Sequence, residues 1–377
     1  MASSTGDRSD PGAPPTDLVD GAACLVPAPA TFRTVAEIPV GLDPEGVAVD
    51  TARRRAYVAC SRSDCVTVVD LDELVPIREV KVGQEPIDIV FDERSDRIVT
   101  ADARSDQISV IDAETLAVVR TVPVGSYPSG MTHEPEARRL YVGNSFGSTM
   151  SVLDLDSFET LATVEAEPGA GAIGVDPSRG VAVCVNFVAA SATFVDMESW
   201  EPVETIPLGT GPCAIGIVPE RREAFVVNSL ACTVSRVDLE TREILGELPT
   251  GRAPVGLTVA PPHDRIYVAN RGAGTVSVLG VADGAEWAQI PVGTGPGGVV
   301  VDPGTGRVLT ANAGSGTLTI SEDLLAARPA EAQVEPPHPL VGRRLPGFAL
   351  PDLATGETRT ELDWAERRYI VNFFASW

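Results

Sequence analysis

The 377-residue chain is 44% hydrophobic and 22% charged, with a formal net charge of -24 and a pI near 4.4. A chain of this size and apolar content can bury a large core, whereas its acidic balance opposes binding to nucleic acid or to an anionic membrane, since both need Lys and Arg in excess. No tract approaches the roughly 18 apolar residues that cross a bilayer.

Residues 1–31 are rich in Ser, Pro, Ala, Gly and Asp and lack the basic start and apolar stretch of a secretory signal, so a disordered leader is expected there. From Gly41 onward the sequence repeats every 42 residues. One column reads Gly41, Gly83, Gly125, Glu167, Gly209, Gly251 and Gly293, another Pro44, Pro86, Pro128, Ala170, Pro212, Pro254 and Pro296, so seven copies follow one another without insertion or deletion. Each copy holds four alternating apolar runs, in the first at 46–50, 56–60, 66–70 and 77–82. A fixed period of roughly 40 to 45 residues with four short strands per unit is the signature of a propeller blade. The expected fold class is all-β, a seven-bladed β-propeller over residues 32–325. Residues 34–40 match the fourth strand of a blade while the seventh copy stops after its third strand at 318–321, so the N-terminal strand is expected to complete blade seven and leave no unpaired edge.

Two resemblances add to this. The runs Tyr57-Val58-Ala59-Cys60, Tyr141-Val142-Gly143-Asn144, Phe225-Val226-Val227-Asn228 and Tyr267-Val268-Ala269-Asn270 resemble the YVTN repeat family, the YncE-like propellers. That likeness implies the fold and suggests a periplasmic or extracytoplasmic location, although no signal peptide is visible; the family spans many functions and names none. Residues 326–339 have the Ala, Pro and Glu composition of a linker. Beyond them Leu340-Val341-Gly342-Arg343-Arg344-Leu345-Pro346-Gly347-Phe348, and then Tyr369-Ile370-Val371-Asn372-Phe373-Phe374-Ala375-Ser376-Trp377, resemble the opening of a TlpA-like or redoxin-type thioredoxin domain, so 340–377 is expected to be an incomplete thioredoxin-like segment. In that family the run matching 371–377 leads into a Cys-x-x-Cys pair, which implies a thiol-disulfide oxidoreductase if the chain continues and no such activity for this sequence by itself.

By fold analogy, propeller ligands bind on the face that carries the blade crossovers and the loops between strands two and three. The tips of those loops read Arg62, Arg104, Phe146, Val188, Leu230, Gly272 and Gly314, with Tyr127 and Phe187 beside the apolar tips and Arg271 one position before its glycine. Arg62, Arg104, Tyr127, Phe146, Phe187, Val188, Leu230 and Arg271 are the candidate ligand- or partner-binding residues, because contiguous apolar tips mark partner sites. The opposite face alternates Arg and Asp and reads as a charge-balanced, solvated surface; the Asp and Asn residues at strand ends read as turn formers.

His133 and His263 fall on the charged-face turns and His338 in the linker, where they cannot converge, and no Cys or His spacing suggests zinc. No metal, cofactor or catalytic residue is expected. Among the six cysteines, Cys60 and Cys65 flank a four-residue loop, where facing antiparallel positions bring α-carbons within about 5 Å, inside the range of a disulfide. The function expected is a binding or scaffold propeller accessory to thiol-disulfide chemistry, its partner a protein, a small molecule or the completed thioredoxin-like domain. The alternatives are the oxidoreductase itself and a small-molecule sensor at the channel mouth.

Overall fold

Strand two of each copy is an almost unbroken apolar run, such as Arg55–Cys60, and such runs form strands covered on both faces. In the computed structural model, which describes residues 32–260, 264–324, 349–351 and 358–360, these runs lie deep inside seven four-stranded antiparallel sheets. Blade one comprises Pro44–Asp50, Arg55–Cys60, Cys65–Asp70 and Val75–Lys81 in that order, within two residues of the expected runs. First strands from all seven blades line a central channel, while fourth strands such as Val75–Lys81 and Ala117–Pro123 lie outermost and largely exposed.

The core is divided into seven apolar clusters, each shared by two neighbouring blades. Tyr57 of blade one packs with Ile98 and Ile111 of blade two, for example, and each fully buried side chain of this size stabilises by roughly 1.5–3 kcal/mol. The last cluster joins blade seven to blade one, where Ile38 of the N-terminal strand meets Val58, Leu309 and Leu318. That strand, Phe32–Pro39, pairs with Thr317–Asp323 and completes blade seven. Val40 N–H donates to Gly316 O at 2.9 Å, and the Thr317 hydroxyl donates to Glu37 at 2.8 Å.

Ring closure is repeated on the charged face, where Arg54 of blade one donates to Asp302 of blade seven at 2.7 Å. Other arginines there also bridge blades. Arg53 holds Asp96 through two bonds of 2.7 and 2.6 Å, and Arg138 grips the buried Asp92 at 2.9 and 2.8 Å. Burial would push Asp92 up, but the Arg138 guanidinium and Ser95 outweigh it and hold the carboxyl below its ordinary value. The expected solvated charge balance is therefore also a set of ties between blades.

Turn-forming aspartates occur as expected at the end of strand three: Asp70 accepts the N–H groups of Asp72 and Glu73 at 2.9 and 2.8 Å, and Asp154, Asp196 and Asp238 repeat the pattern. The column at the end of strand two differs. Asn144, Asn186, Asn228, Asn270 and Asn312 are fully buried and bond to side chains of strand three instead of to turn backbone. The reason is steric, because the crossover that enters the blade lies directly over them: a Cβ on Gly125 would sit 2.4 Å from Asn144 Cγ. His133 is likewise not on a turn. It lies in the first strand Pro128–Glu134, opposite Leu140 and beside the channel; His263 and His338 lie outside the described residues.

Residues 323–377 form a second unit, in which Ala349–Pro351 and Thr358–Thr360 pair antiparallel. The leader, the linker and, of the segment that resembles a thioredoxin domain, residues 340–348, 352–357 and 361–377 lie outside the described residues.

Deleting residues 32–40 removes one paired strand and bares the edge of another, so it should cost several kcal/mol or abolish folding, as thermal unfolding would show. An unchanged Tm would contradict closure by this strand.

Candidate functional site on the loop face and channel

In every blade the residue before the first strand has left-handed backbone: Asp43, Glu85, Tyr127, Gly169, Gly211, Ala253 and Gly295, with φ between 48° and 86°. Four of the seven are not glycine, so the conformation is held against its local cost. What holds it is a hydrogen bond from the start of the following loop. The N–H groups of Ser61, Ala103, Ser145, Phe187, Ser229, Arg271 and Ala313 donate to those seven carbonyls at 2.8–3.0 Å. Loop and crossover thereby become one unit, and a second bond pins most tips: the Arg62, Arg104, Phe146 and Leu230 N–H groups donate to Leu42, Gln84, Ser126 and Thr210 at 3.2–3.3 Å.

The side chains beyond those pinned backbones project outward. Phe146, Val188 and Leu230 are 75%, 72% and 70% exposed, and Phe187 is 43% exposed. Tyr127 stacks on Phe146 with ring centroids 4.2 Å apart and donates its hydroxyl to Glu85 at 2.7 Å. Burial, followed by that acceptor, pushes the Tyr127 hydroxyl up to about 12. Glu85 also pairs with Arg104, so one chain of contacts runs from the apolar sector to the arginine sector.

Arg62 and Arg104 come together on one pocket of about 490 Å³, with Asp43, Ser61, Asp64, Gln84 and Glu85. Arg62 has no ion pair among the described residues. Arg271 lies apart from this pocket and pairs with Glu45 of blade one. Burial raises the Glu45 carboxyl above its ordinary value, although Arg271 opposes it.

The channel below has a volume of about 610 Å³ and contains a residue that sequence reasoning passed over. Asp88 stands in a column otherwise made of Gly46, Gly130, Ala172, Ala214, Gly256 and Gly298; a lone carboxylate among such small residues was the available signal. It accepts the Met131 and Ile89 N–H groups at 2.7 and 2.8 Å, yet burial pushes it up to about 6. Burial also lowers His133 and pushes the Cys213 thiol up to about 12, so Cys213 is a poor nucleophile at neutral pH. Cys213 and Cys232 bond to different carbonyls, those of Pro254 and Ser229, whereas Cys60 and Cys65 are register partners. No group of three His, Cys, Asp or Glu able to hold a metal occurs among the described residues.

The native Asp88 carboxyl keeps a proton that the unfolded chain, with an ordinary value near ~4, has released. Its ionisation therefore costs stability as pH rises from ~4 through about 6. Asp88→Asn should raise Tm relative to the parent at pH ~7.5 and leave it nearly equal at pH ~4. The same Tm difference at both pH values would contradict the assignment.

The YncE-like beta-propeller family matches residues 19–307. Among solved structures, the chain is similar to Kuenenia stuttgartiensis Hydrazine Synthase, with a TM-score of 0.67 and 19% identity over 74% of this chain and 95% of that one. At that identity the likeness extends to the fold alone. No curated protein sequence matches significantly. The family match spans most of the chain, and the seven antiparallel blades agree with it: the protein belongs to the YncE-like beta-propeller family.

Proposed function

We propose that this propeller is a binding module that holds a protein partner on its loop face, through Tyr127, Phe146, Phe187, Val188 and Leu230, with Arg62 and Arg104 at the edge of the contact. The observation that carries this reading is the exposure of Phe146, Val188 and Leu230 at the tips of three successive blades. Exposed apolar groups clustered on one face favour association. Two further features support it. The tips of Phe146 and Leu230 are pinned by backbone bonds, so binding orders little chain and costs less entropy. Aromatic and arginine side chains, moreover, are the types that most often dominate interface energetics.

The finer reading is that the propeller serves thiol-disulfide chemistry. Its support is the resemblance of residues 340–377 to the start of a TlpA-like domain, and an oxidoreductase proper would further require the Cys-x-x-Cys pair that follows in that family. The sensor reading rests on a different observation, the channel of about 610 Å³ with Asp88 in its wall. A small molecule bound there would donate hydrogen bonds or carry positive charge, and Asp88→Asn would weaken it without affecting a protein held at the tips.

Affinity capture on the immobilised full chain, from an extract of the cells that make it, tests the principal reading. Replacing Phe146, Val188 and Leu230 together by Ser should weaken retention of the captured protein at least about tenfold, with little change in Tm because all three are exposed. Arg94→Ser on the opposite face should leave retention unchanged. Equal loss from both variants, or a large fall in Tm for the triple variant, would overturn the assignment.

A further inference from the structure

We propose that Cys60 and Cys65 form a disulfide at the loop tip of blade one, in place of the side-chain hydrogen bond that the other six blades make between the same two positions. The pair recurs at every step of the period. Asn144 donates to Thr149 at 3.1 Å, Asn186 to Ser191 at 3.1 Å, Asn228 to Thr233 at 3.1 Å, Asn270 to Thr275 at 3.2 Å and Asn312 to Thr317 at 3.1 Å. In blade two the polarity reverses, with Gln107 donating to Asp102 at 3.2 Å. The side chains at the end of strand two and the start of strand three thus touch in all six. Blade one alone has sulfur at both positions, in direct register and fully buried. Facing positions of an antiparallel pair hold their α-carbons inside the range a disulfide spans.

In blade two the N–H of Gly83 donates to the Asp102 carboxylate at 3.1 Å. Its counterpart, Gly41 N–H, donates to the Thr67 hydroxyl at 3.2 Å and also faces the Cys60 sulfur. Gly41 packs directly on the pair, since a Cβ there would lie 2.7 Å from Cys60 Cβ and 2.9 Å from its sulfur. Gly41 is also where the ring-closing strand passes into blade one, just after Val40 bonds to Gly316. The disulfide therefore sits under the junction of the ring's two ends, and the loop it closes is short, so its effect is local stiffening of that junction.

The bond forms by exchange with a small-molecule disulfide. One cysteine thiolate attacks a sulfur of that molecule and expels its first thiol, leaving a mixed disulfide; the second cysteine attacks the protein sulfur and expels the other thiol. The two electrons and two protons lost by the cysteines end on the two released thiols. Because both sulfurs are buried, exchange takes place while the hairpin is open, during folding or local unfolding.

Trypsin cuts after Arg62, between the two cysteines, which makes the bond readable. The full chain is refolded in glutathione disulfide, free thiols are blocked with iodoacetamide, and the tryptic digest is weighed before and after reduction. The expected result is one species joining the peptides that carry Cys60 and Cys65, separating on reduction, together with a Tm that falls when reductant is added. The double variant Cys60→Asn, Cys65→Thr, which installs the pair of the other blades, should fold with a Tm indifferent to reductant. Separate alkylation of both cysteines in the refolded parent, or either one bonded to another cysteine of the chain, would overturn the proposal.

Discussion

The hydrogen bond from the start of each strand two–three loop to the left-handed residue of the preceding crossover is the constraint on which the loop face depends. It recurs in all seven blades at 2.8–3.0 Å, and it makes two irregular segments support each other. A left-handed backbone at Asp43, Glu85, Tyr127 or Ala253 is locally unfavourable, yet it turns the carbonyl toward the loop and brings the loop down over the first strand. Side chains at the tips then have nowhere to go but outward. Function on this face is therefore set by which residue occupies a tip, while the backbone beneath stays constant.

Energetically the ring is held by its interfaces. Seven shared apolar clusters supply the bulk of the stabilisation, and the ion pairs across the charged face select the register between neighbours. Arg138 with Asp92 is the most buried of these; such a pair adds little over an apolar substitute but penalises any arrangement that separates it. The Asn column contributes in another way. Each buried amide bonds to two hydroxyls of strand three, which fixes the hairpin register; Asn144, Asn228, Asn270 and Asn312 do so under a crossover glycine that has no room for a Cβ. Blade one lacks the amide, and its two cysteines occupy the same space.

Much of the architecture was legible because a strict 42-residue period gives one set of blade assignments for the whole chain. Strand positions and the N-terminal closure follow from it, as does the outward exposure of Phe146, Val188 and Leu230. The period says which residues are equivalent and not which ones meet, and the misreadings have that origin. Arg53 and Asp96 belong to different copies, so their inter-blade bond has no local signal. The asparagines look like turn formers in a single repeat, and only the overlying crossover shows that they are buried. His133 could have been placed correctly by stepping from Val49 through Phe91 into the first strand. Asp88 was visible as the odd carboxylate in a column of Gly and Ala, but its raised proton affinity comes from the closed ring around it.

The central claim is that the loop face is a rigid surface built from irregular backbone. Amide hydrogen exchange on the full chain tests it most directly. The N–H groups of Ser145, Phe187 and Ser229, which donate to the crossover carbonyls, should exchange as slowly as amides of the adjoining strands, even though exposed side chains stand beside them. Exchange at the rate of an unstructured peptide would show that the tips are loose and would contradict the account.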